Sequence, residues 1–371
     1  MKTKKQKIDY KKAGVNYDSM DPIKTLAQKS AKETSINLKI HGFEEIEDTR
    51  GESAYVWKQG NTYMASVIEG LGTKNLVADA TRTITNKTYY ENIGHDTIAA
   101  IINDLISVGA KPLVIHAYWA VGDSKWLEDL ERMKDLIKGW KSACDISGAS
   151  WGGGETPTYK GIINPKTVDL GGSAVGIIAN KKNLLTDKKL KIGDRILLLK
   201  STGINVNGLS LARAIANKLS KGYATKLKNG TTYGEALLVK SNIYAKLIQD
   251  LQNEGIDIHY ISNLTGHGLR KIMRARGDFS YIIEKIFEPQ EIFHFLQKHA
   301  GLTDYEMYET YNMGQDYAIF LPEKDVKKTQ KIVAKNGFES LDAGYIKKGE
   351  RQVIIQPKNI TYKGETLKVR I

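Results

Sequence analysis

Cysteine is almost missing from this chain: Cys144 is the single one in 371 residues. That excludes an intramolecular disulfide and any zinc site built on several thiolates. Proline is scarce, at 7 residues, which excludes a proline-rich disordered chain. No apolar run approaches the ~20 residues that a membrane-spanning helix needs. The start, MKTKKQKIDYKKAGVNYD, is basic with no apolar segment behind it, so no secretory signal is expected. These absences lead to the expectation of a cytoplasmic protein with no membrane partner. They also leave no Ser/His/Asp or Cys/His case for nucleophilic catalysis. Cys144 falls inside an amphipathic pattern and reads as packed rather than reactive.

What the chain does have is glycine, with 34 residues, and an ordinary 41% of hydrophobic residues. At roughly 100–200 residues per domain, two domains are expected. Basic residues outnumber acidic ones 55 to 42, giving a net charge of +13. Such a surface attracts polyanions: nucleotides, phosphorylated metabolites or nucleic acid. The lysines are scattered, which fits a solvated surface and makes nucleic acid the less favoured partner.

Helical and strand patterns interleave, with some strands in pairs, as in a mixed α/β fold with partly antiparallel sheet. A helix is predicted from Pro22 to about Leu38, capped by Asp21. TYMASVIEG (62–70) alternates as a strand. In HDTIAAIINDLISVGAKP, Ile98, Ile101, Ile102, Leu105 and Ile106 recur at helical spacing, and Gly109 and Pro112 end the pattern. LVIHAYWAV and GGSAVGIIA read as strands, WGGGET as a glycine turn between them, and 127–147 as a helix. The lysine-rich NKKNLLTDKKLKIGD marks a boundary, dividing the chain into 1–185 and 186–371. The second half predicts strands at 195–200, 258–261, 317–321, 341–346 and 352–356. Its helices are predicted at 208–219, 233–253, 267–275, 289–299 and 324–336, and the last residues read as an appended hairpin or tail.

Four places set polar or acidic residues beside glycine turns. Glu69-Gly-Leu-Gly-Thr-Lys74 has the parts of a phosphate turn, since glycine admits close backbone approach, yet it fits no standard phosphate motif. It reads equally as a tight hairpin turn. On the helix at 96–106, Asp96 and Asn103 share a face and Asp104 lies at its edge; such acids either hold Mg²⁺ against a polyphosphate or form a solvated face. Gly152–Gly154 before Glu155 demand a tight turn or a close approach. Gly203 and Gly208 flank Asn205 and Asn207 just ahead of an amphipathic helix, a setting that suits a phosphate or a plain capped connection. Further on, NLTGHG places Asn263 and His267 around two glycines, and His267 is a candidate base.

Taken in this order, the segments resemble the aminoimidazole ribonucleotide synthetase (phosphoribosylformylglycinamidine cyclo-ligase) family. The likeness spans YKKAGVNYD at 10–18 to ERQVIIQP at 350–357. The family's Y-K-x-A-G-V stands at Tyr10–Val15, its D-G-V-G-T-K is EGLGTK, and its N-D-L-x-x-x-G-A-x-P-L is NDLISVGAKPL. Its G-G-E-T stands at Gly153–Thr156, its S-S-G-x-H-x-N-G-x-S-L-x-R is STGINVNGLSLAR, its L-T-G-G-G is LTGHG, and its E-M-x-x-T-F-N-x-G is EMYETYNMG.

The resemblance implies the two-domain ATP-binding α/β fold of that superfamily, in a homodimer. It implies ring closure of a phosphorylated small molecule, formylglycinamidine ribonucleotide, at the expense of ATP with Mg²⁺. By position, Glu69 and Asp104 would be the metal acids. Gly70, Gly72, Thr73, Lys74, Asp96, Asn103, Gly153, Gly154, Asn207 and Gly208 would hold the nucleotide. Glu155, Asn205, Asn263 and His267 would stand at the reacting groups.

The chain departs from the family at several of these positions. Glu69 replaces Asp, Asn205 and Asn263 each replace a histidine, Ala117 replaces an Asp, and HGFEEIEDTRGESAYVW replaces a glycine-rich loop. Two lost histidines remove candidate bases, for which His267 or His116 would have to substitute. The alternatives weighed beside the cyclo-ligase are another ATP-dependent enzyme of the superfamily, such as a thiamine-monophosphate kinase, and a non-catalytic nucleotide-binding relative.

Overall fold

The computed structural model describes residues 17–367 and Arg370. The Y-K-x-A-G-V match and the basic start with Lys2, Lys4, Lys5, Lys7, Lys11 and Lys12 lie outside the described residues. The chain builds two mixed sheets. The first contains β1 (Glu44–Glu45), β2 (Tyr55–Gln59), β3 (Thr62–Gly70), β4 (Lys111–Val121), β5 (Ser150–Glu155) and β6 (Val168–Ile178), in the order β1-β2-β3-β6-β4-β5. All its pairings are antiparallel except β4 with β5. The second contains β7 (Arg195–Lys200), β8 (Tyr260–Asn263), β9 (Phe279–Ile283), β10 (Gln315–Leu321), β11 (Ser340–Lys348), β12 (Gln352–Ile355) and β13 (Ile360–Lys363), in the order β13-β12-β9-β11-β7-β10-β8. Every residue of β10 is buried, as a strand flanked on both edges and covered on both faces must be.

The isoleucine-rich helix spans Tyr90–Ile106, and its apolar stripe packs on the first sheet against β3 and β6. The helix Leu130–Ser147 packs beside it. Cys144 is buried there and burial pushes its thiol up to about 11, so it is an inert packing residue.

Several elements differ from expectation for local reasons. Asp21 does not start a helix; the helix Tyr17–Glu33 already contains Asp21 and Pro22, and a separate short helix, Ile36–Ile40, follows. WGGGE is not a turn but β5, an edge strand laid tightly on β4. A Cβ on Gly154 would stand 2.2 Å from the Ala117 carbonyl oxygen, so this register requires glycine. The predicted helix 233–253 is two helices, Tyr233–Leu237 and Ala245–Asn253, with 238–244 irregular between them. β9 and the helix Asp304–Thr310 have no counterpart among the predicted elements. The expected tail is partly ordered as β13, paired antiparallel with β12.

Candidate functional site

The break at 238–244 is explained by the polar face of Tyr90–Ile106. Backbone groups in that segment are satisfied by side chains of the first half rather than by a helix of their own. Asn92 donates to the Leu238 carbonyl at 2.8 Å, and Asn103 donates to that of Asn242 at 2.8 Å. His95 Nε2 lies 2.9 Å from the Ser241 carbonyl. In return the Ser241 amide donates to Asp96 at 2.7 Å, and the Tyr244 amide to Asn103 at 3.1 Å. A helix face of this polarity would otherwise be solvated; here it is a seam between the two halves.

Lys74 completes that seam. Its side chain is fully buried and its ammonium donates to Asp96 at 2.5 Å, to the Asn205 carbonyl at 2.8 Å and to the Val239 carbonyl at 3.0 Å. An ammonium has three N–H donors, so none remains for a nucleotide. Lys74, Asp96 and Asn103, expected to hold ATP, are therefore joint residues in this structure. Thr73 directly precedes them at the start of the helix Lys74–Thr85 and does not line the cavity.

The cavity lies beside this seam and encloses about 430 Å³. Glu69, Gly70 and Gly72 reach it from the end of β3, and Asp104 reaches it from the long helix. Asn207, Thr265, His267 and Lys271 reach it from the second half. A wider groove of about 1180 Å³ shares Lys24, Glu52, Ser53 and Glu69 with it and runs between the helix Tyr17–Glu33 and the outer face of β3 and β6. Of the residues singled out in the sequence, Glu69, Gly70, Gly72, Asp104, Asn207 and His267 meet on one cavity. Gly153, Gly154 and Glu155 lie apart on edge strand β5. Gly208 adopts a left-handed φ of 80° and a Cβ there would collide with the Tyr311 ring at 2.0 Å, so its glycine serves packing.

Glu69 and Asp104 both line the cavity and stand close enough to interact directly. Burial, followed by the Asp104 carboxylate, pushes Glu69 up to about 7, while Lys271 opposes the shift. Two acids that resist joint ionisation are what a divalent cation relieves. Among the described residues no cluster of three or more His, Cys, Asp or Glu side chains occurs. The pair suits Mg²⁺, which takes one or two carboxylates and completes its shell with water and substrate phosphates.

Both asparagines at the lost-histidine positions are turned to acids. Asn263 donates to Asp104 Oδ1 at 2.8 Å and thereby fixes one of the pair. Asn205, with a left-handed φ of 57°, donates to Asp316 Oδ1 at 2.6 Å, away from the cavity. Burial raises Asp316 to about 6, against hydrogen bonds from Tyr244 and Asn205. His267 does line the cavity, but burial, then Lys271, Arg270 and Lys24, push it down to about 3. Burial thus disfavours its charged form, which makes it a weak base in this setting. His116 is exposed on β4 and does not line this cavity.

Three residues that sequence reasoning passed over shape the site. Glu52 lines the cavity and pairs with Arg274 at 3.3 Å and with buried Arg370, while Tyr260 donates to it at 2.9 Å. Arg274 also donates to Ser53 Oγ at 3.0 Å and to the Gly51 carbonyl at 2.7 Å. Lys271, in the 3₁₀ turn Gly268–Met273, donates to Thr265 Oγ1. Burial lowers it to about 8, with Asp104, Glu69 and Glu52 pulling the other way. A basic pair, Arg270-Lys271, set between apolar residues in LRKIM was the available signal for that residue.

The chain matches two family descriptions: "AIR synthase related protein, N-terminal domain" over residues 51–178, and the corresponding C-terminal domain over 191–356. It is 31% identical to a protein of Carboxydothermus hydrogenoformans named phosphoribosylformylglycinamidine cyclo-ligase, over 94% of this chain and 99% of that one. A protein of the same name from Clostridium perfringens is 31% identical over 94% and 100%. One from Methanosarcina barkeri is 34% identical over 74% and 78%.

Among solved structures, a HypE–HypF complex superposes with TM-score 0.59 at 17% identity, covering 84% of this chain and 92% of that chain. The structure of AaThiL complexed with AMPPCP and TMP superposes with TM-score 0.56 at 13% identity, covering 85% and 91%. At such identities these two show the fold alone. The sequence relatives and the two domain matches show more: the chain belongs to the AIR synthase family.

Proposed function

We propose that this chain is an ATP-dependent phosphoribosylformylglycinamidine cyclo-ligase of purine biosynthesis, acting in the cytoplasm. The supporting observation is one cavity between the two halves, in which Glu69 and Asp104 stand together beside the Gly70–Gly72 turn and facing the 264–268 turn. In the proposed reaction ATP phosphorylates the formyl oxygen of formylglycinamidine ribonucleotide. An internal nitrogen then attacks that carbon, phosphate leaves and the imidazole closes. Glu69 and Asp104 would hold Mg²⁺, which supplies positive charge to the phosphates when bound. Gly70 and Gly72 let the backbone approach the nucleotide, and Asn207 lies on the facing wall. Asn263 orients Asp104, and the seam through Lys74 and Asp96 keeps the two walls in register, the preorganisation on which electrostatic catalysis depends. In this reading residues 1–185 carry nucleotide and pairing surface, and 186–371 complete the substrate site.

The reading includes a homodimer through the first sheet. Leu113 and Tyr118 on β4 are 41% and 38% exposed, and Ile68 on β3, beside the groove under the helix Tyr17–Glu33, is 77% exposed. Light scattering on the purified protein tests this, and a monomer at micromolar concentration would remove it. The function is tested by supplying ATP, Mg²⁺ and formylglycinamidine ribonucleotide and following ADP and the aminoimidazole product. Formation of both is the expected result. ADP release only with other acceptors would point to a different substrate for the same ATP site.

A further inference from the structure

Among the described residues, one buried lysine lines the cavity with ammonium donors to spare. Lys24 sits on the helix Tyr17–Glu33 with half its side chain in solvent, near Asp21 at 3.9 Å. Arg274 is held by Glu52, Ser53 and Gly51. Lys74, the lysine expected at the nucleotide, has three acceptors and no opening to the cavity. Lys271 is different. It is only 8% exposed, yet it lines the cavity, and Thr265 Oγ1 is its one hydrogen-bond acceptor among the described residues. Two N–H groups of its ammonium therefore lack a protein acceptor. A buried ammonium left this way is costly unless something else accepts from it. The neighbouring carboxylates Glu69 and Asp104 do not form an ion pair with it.

We propose that Lys271 is a catalytic residue whose ammonium contacts the phosphoryl group passing from ATP to the substrate. The inference rests on the ATP-dependent reading above and adds a residue to it. The transfer breaks the bond from phosphorus to the ADP oxygen and forms the bond from phosphorus to the formyl oxygen. When the ring closes, the carbon–oxygen bond breaks and inorganic phosphate leaves with that oxygen, while the attacking nitrogen gives up a proton to solvent. Lys271 exchanges no atom in either step. It would meet the charge on the phosphoryl oxygens from beside Glu69 and Asp104, the acids that would hold Mg²⁺. The two open donors match the several oxygens of a phosphoryl group better than one carboxylate. Lys74 thus binds the halves together, and Lys271 takes the phosphate-facing role.

The test uses full-length K271M, K271R and K271G with ATP, Mg²⁺ and formylglycinamidine ribonucleotide. Removing one preorganised charge donor should lower kcat by about 10²–10³-fold in K271M. Its melting temperature should hold or rise, because an under-satisfied buried charge has been replaced by an apolar chain. K271R should keep more activity than K271M, and added methylammonium should restore activity to K271G in a saturable manner. A purely structural role through Thr265 would not give amine rescue. A K271M kcat within about threefold of the parent protein overturns the inference, as does a loss that no amine rescues. If the parent protein itself makes no imidazole product, the functional reading fails instead, which separates the two failures.

Discussion

Replacing Lys74 with methionine separates a nucleotide lysine from a joint lysine. In the structure Lys74 Nζ carries three hydrogen bonds, one to Asp96 and two to carbonyls of the second half, and both charged side chains are fully buried. Lys74→Met leaves Asp96 with the Ser241 amide alone as its remaining donor among the described residues. Leaving one partner of a buried pair uncompensated costs about 3–5 kcal/mol. Unfolding entropy near 2.1 cal/mol/K per residue, taken over 371 residues, converts this into a fall of about 4–6 °C in melting temperature. Changing both partners, K74M with D96L, removes the stranded charge and should recover much of the loss. Calorimetric or fluorescence melting measures the stability, and titration of a non-hydrolysable ATP analogue measures affinity. A K74M protein that melts normally yet no longer binds the analogue would refute the joint assignment and return Lys74 to the nucleotide site.

Glu69 has its pKa raised to about 7 from an ordinary 4.5. Its protonated form is therefore favoured by folding, and the stability this brings is present below pH ~4.5 and lost as pH rises through ~7. Mg²⁺ needs the ionised form, so apparent Mg·ATP affinity should fall by up to about tenfold per pH unit below 7; calorimetric titration across pH 5.5–8 showing a flat profile would contradict the pairing. Asp104→Asn should reduce turnover by about 100-fold or more without unfolding the protein, because the new amide oxygen still accepts from Asn263; unchanged turnover would remove Asp104 from the metal pair. Arg370→Ala should lower the melting temperature by leaving Glu52 and Asp187 with fewer cations, and Glu52→Gln in that background should recover part of the loss. If the second change instead adds its full cost, Arg370 does not act through Glu52.

The amphipathic elements were legible because burial writes a period into the sequence. The isoleucines of Tyr90–Ile106, the alternation of β3 and the apolar run of β7 reveal themselves locally. The acids of the cavity were legible as acids beside glycine. What the pattern could not show was which polar residues face ligand and which face protein. Asp96 and Asp104 sit two turns apart on one helix, yet one is tied to the Ser241 amide and the other opens on the cavity. That difference is set by segment 238–244, whose place no local signal announces. Lys271 was missed for the same reason, since a lysine beside an arginine in a short basic stretch looks like any surface lysine until its burial is known. Glycines 152–154 looked like a turn because glycine marks both turns and tightly packed edge strands.

The Arg370 contact ties together residues 318 positions apart in the chain, bridging to Glu52 beside the cavity. During synthesis at about 5–20 residues per second, Glu52 emerges roughly 16–64 s before its guanidinium partner exists. Through that interval the wall of the cavity carries an acid without this counter-charge, and the first sheet can form while the site cannot. Full pairing of this acid in the cavity wall therefore waits for nearly the whole chain to be made.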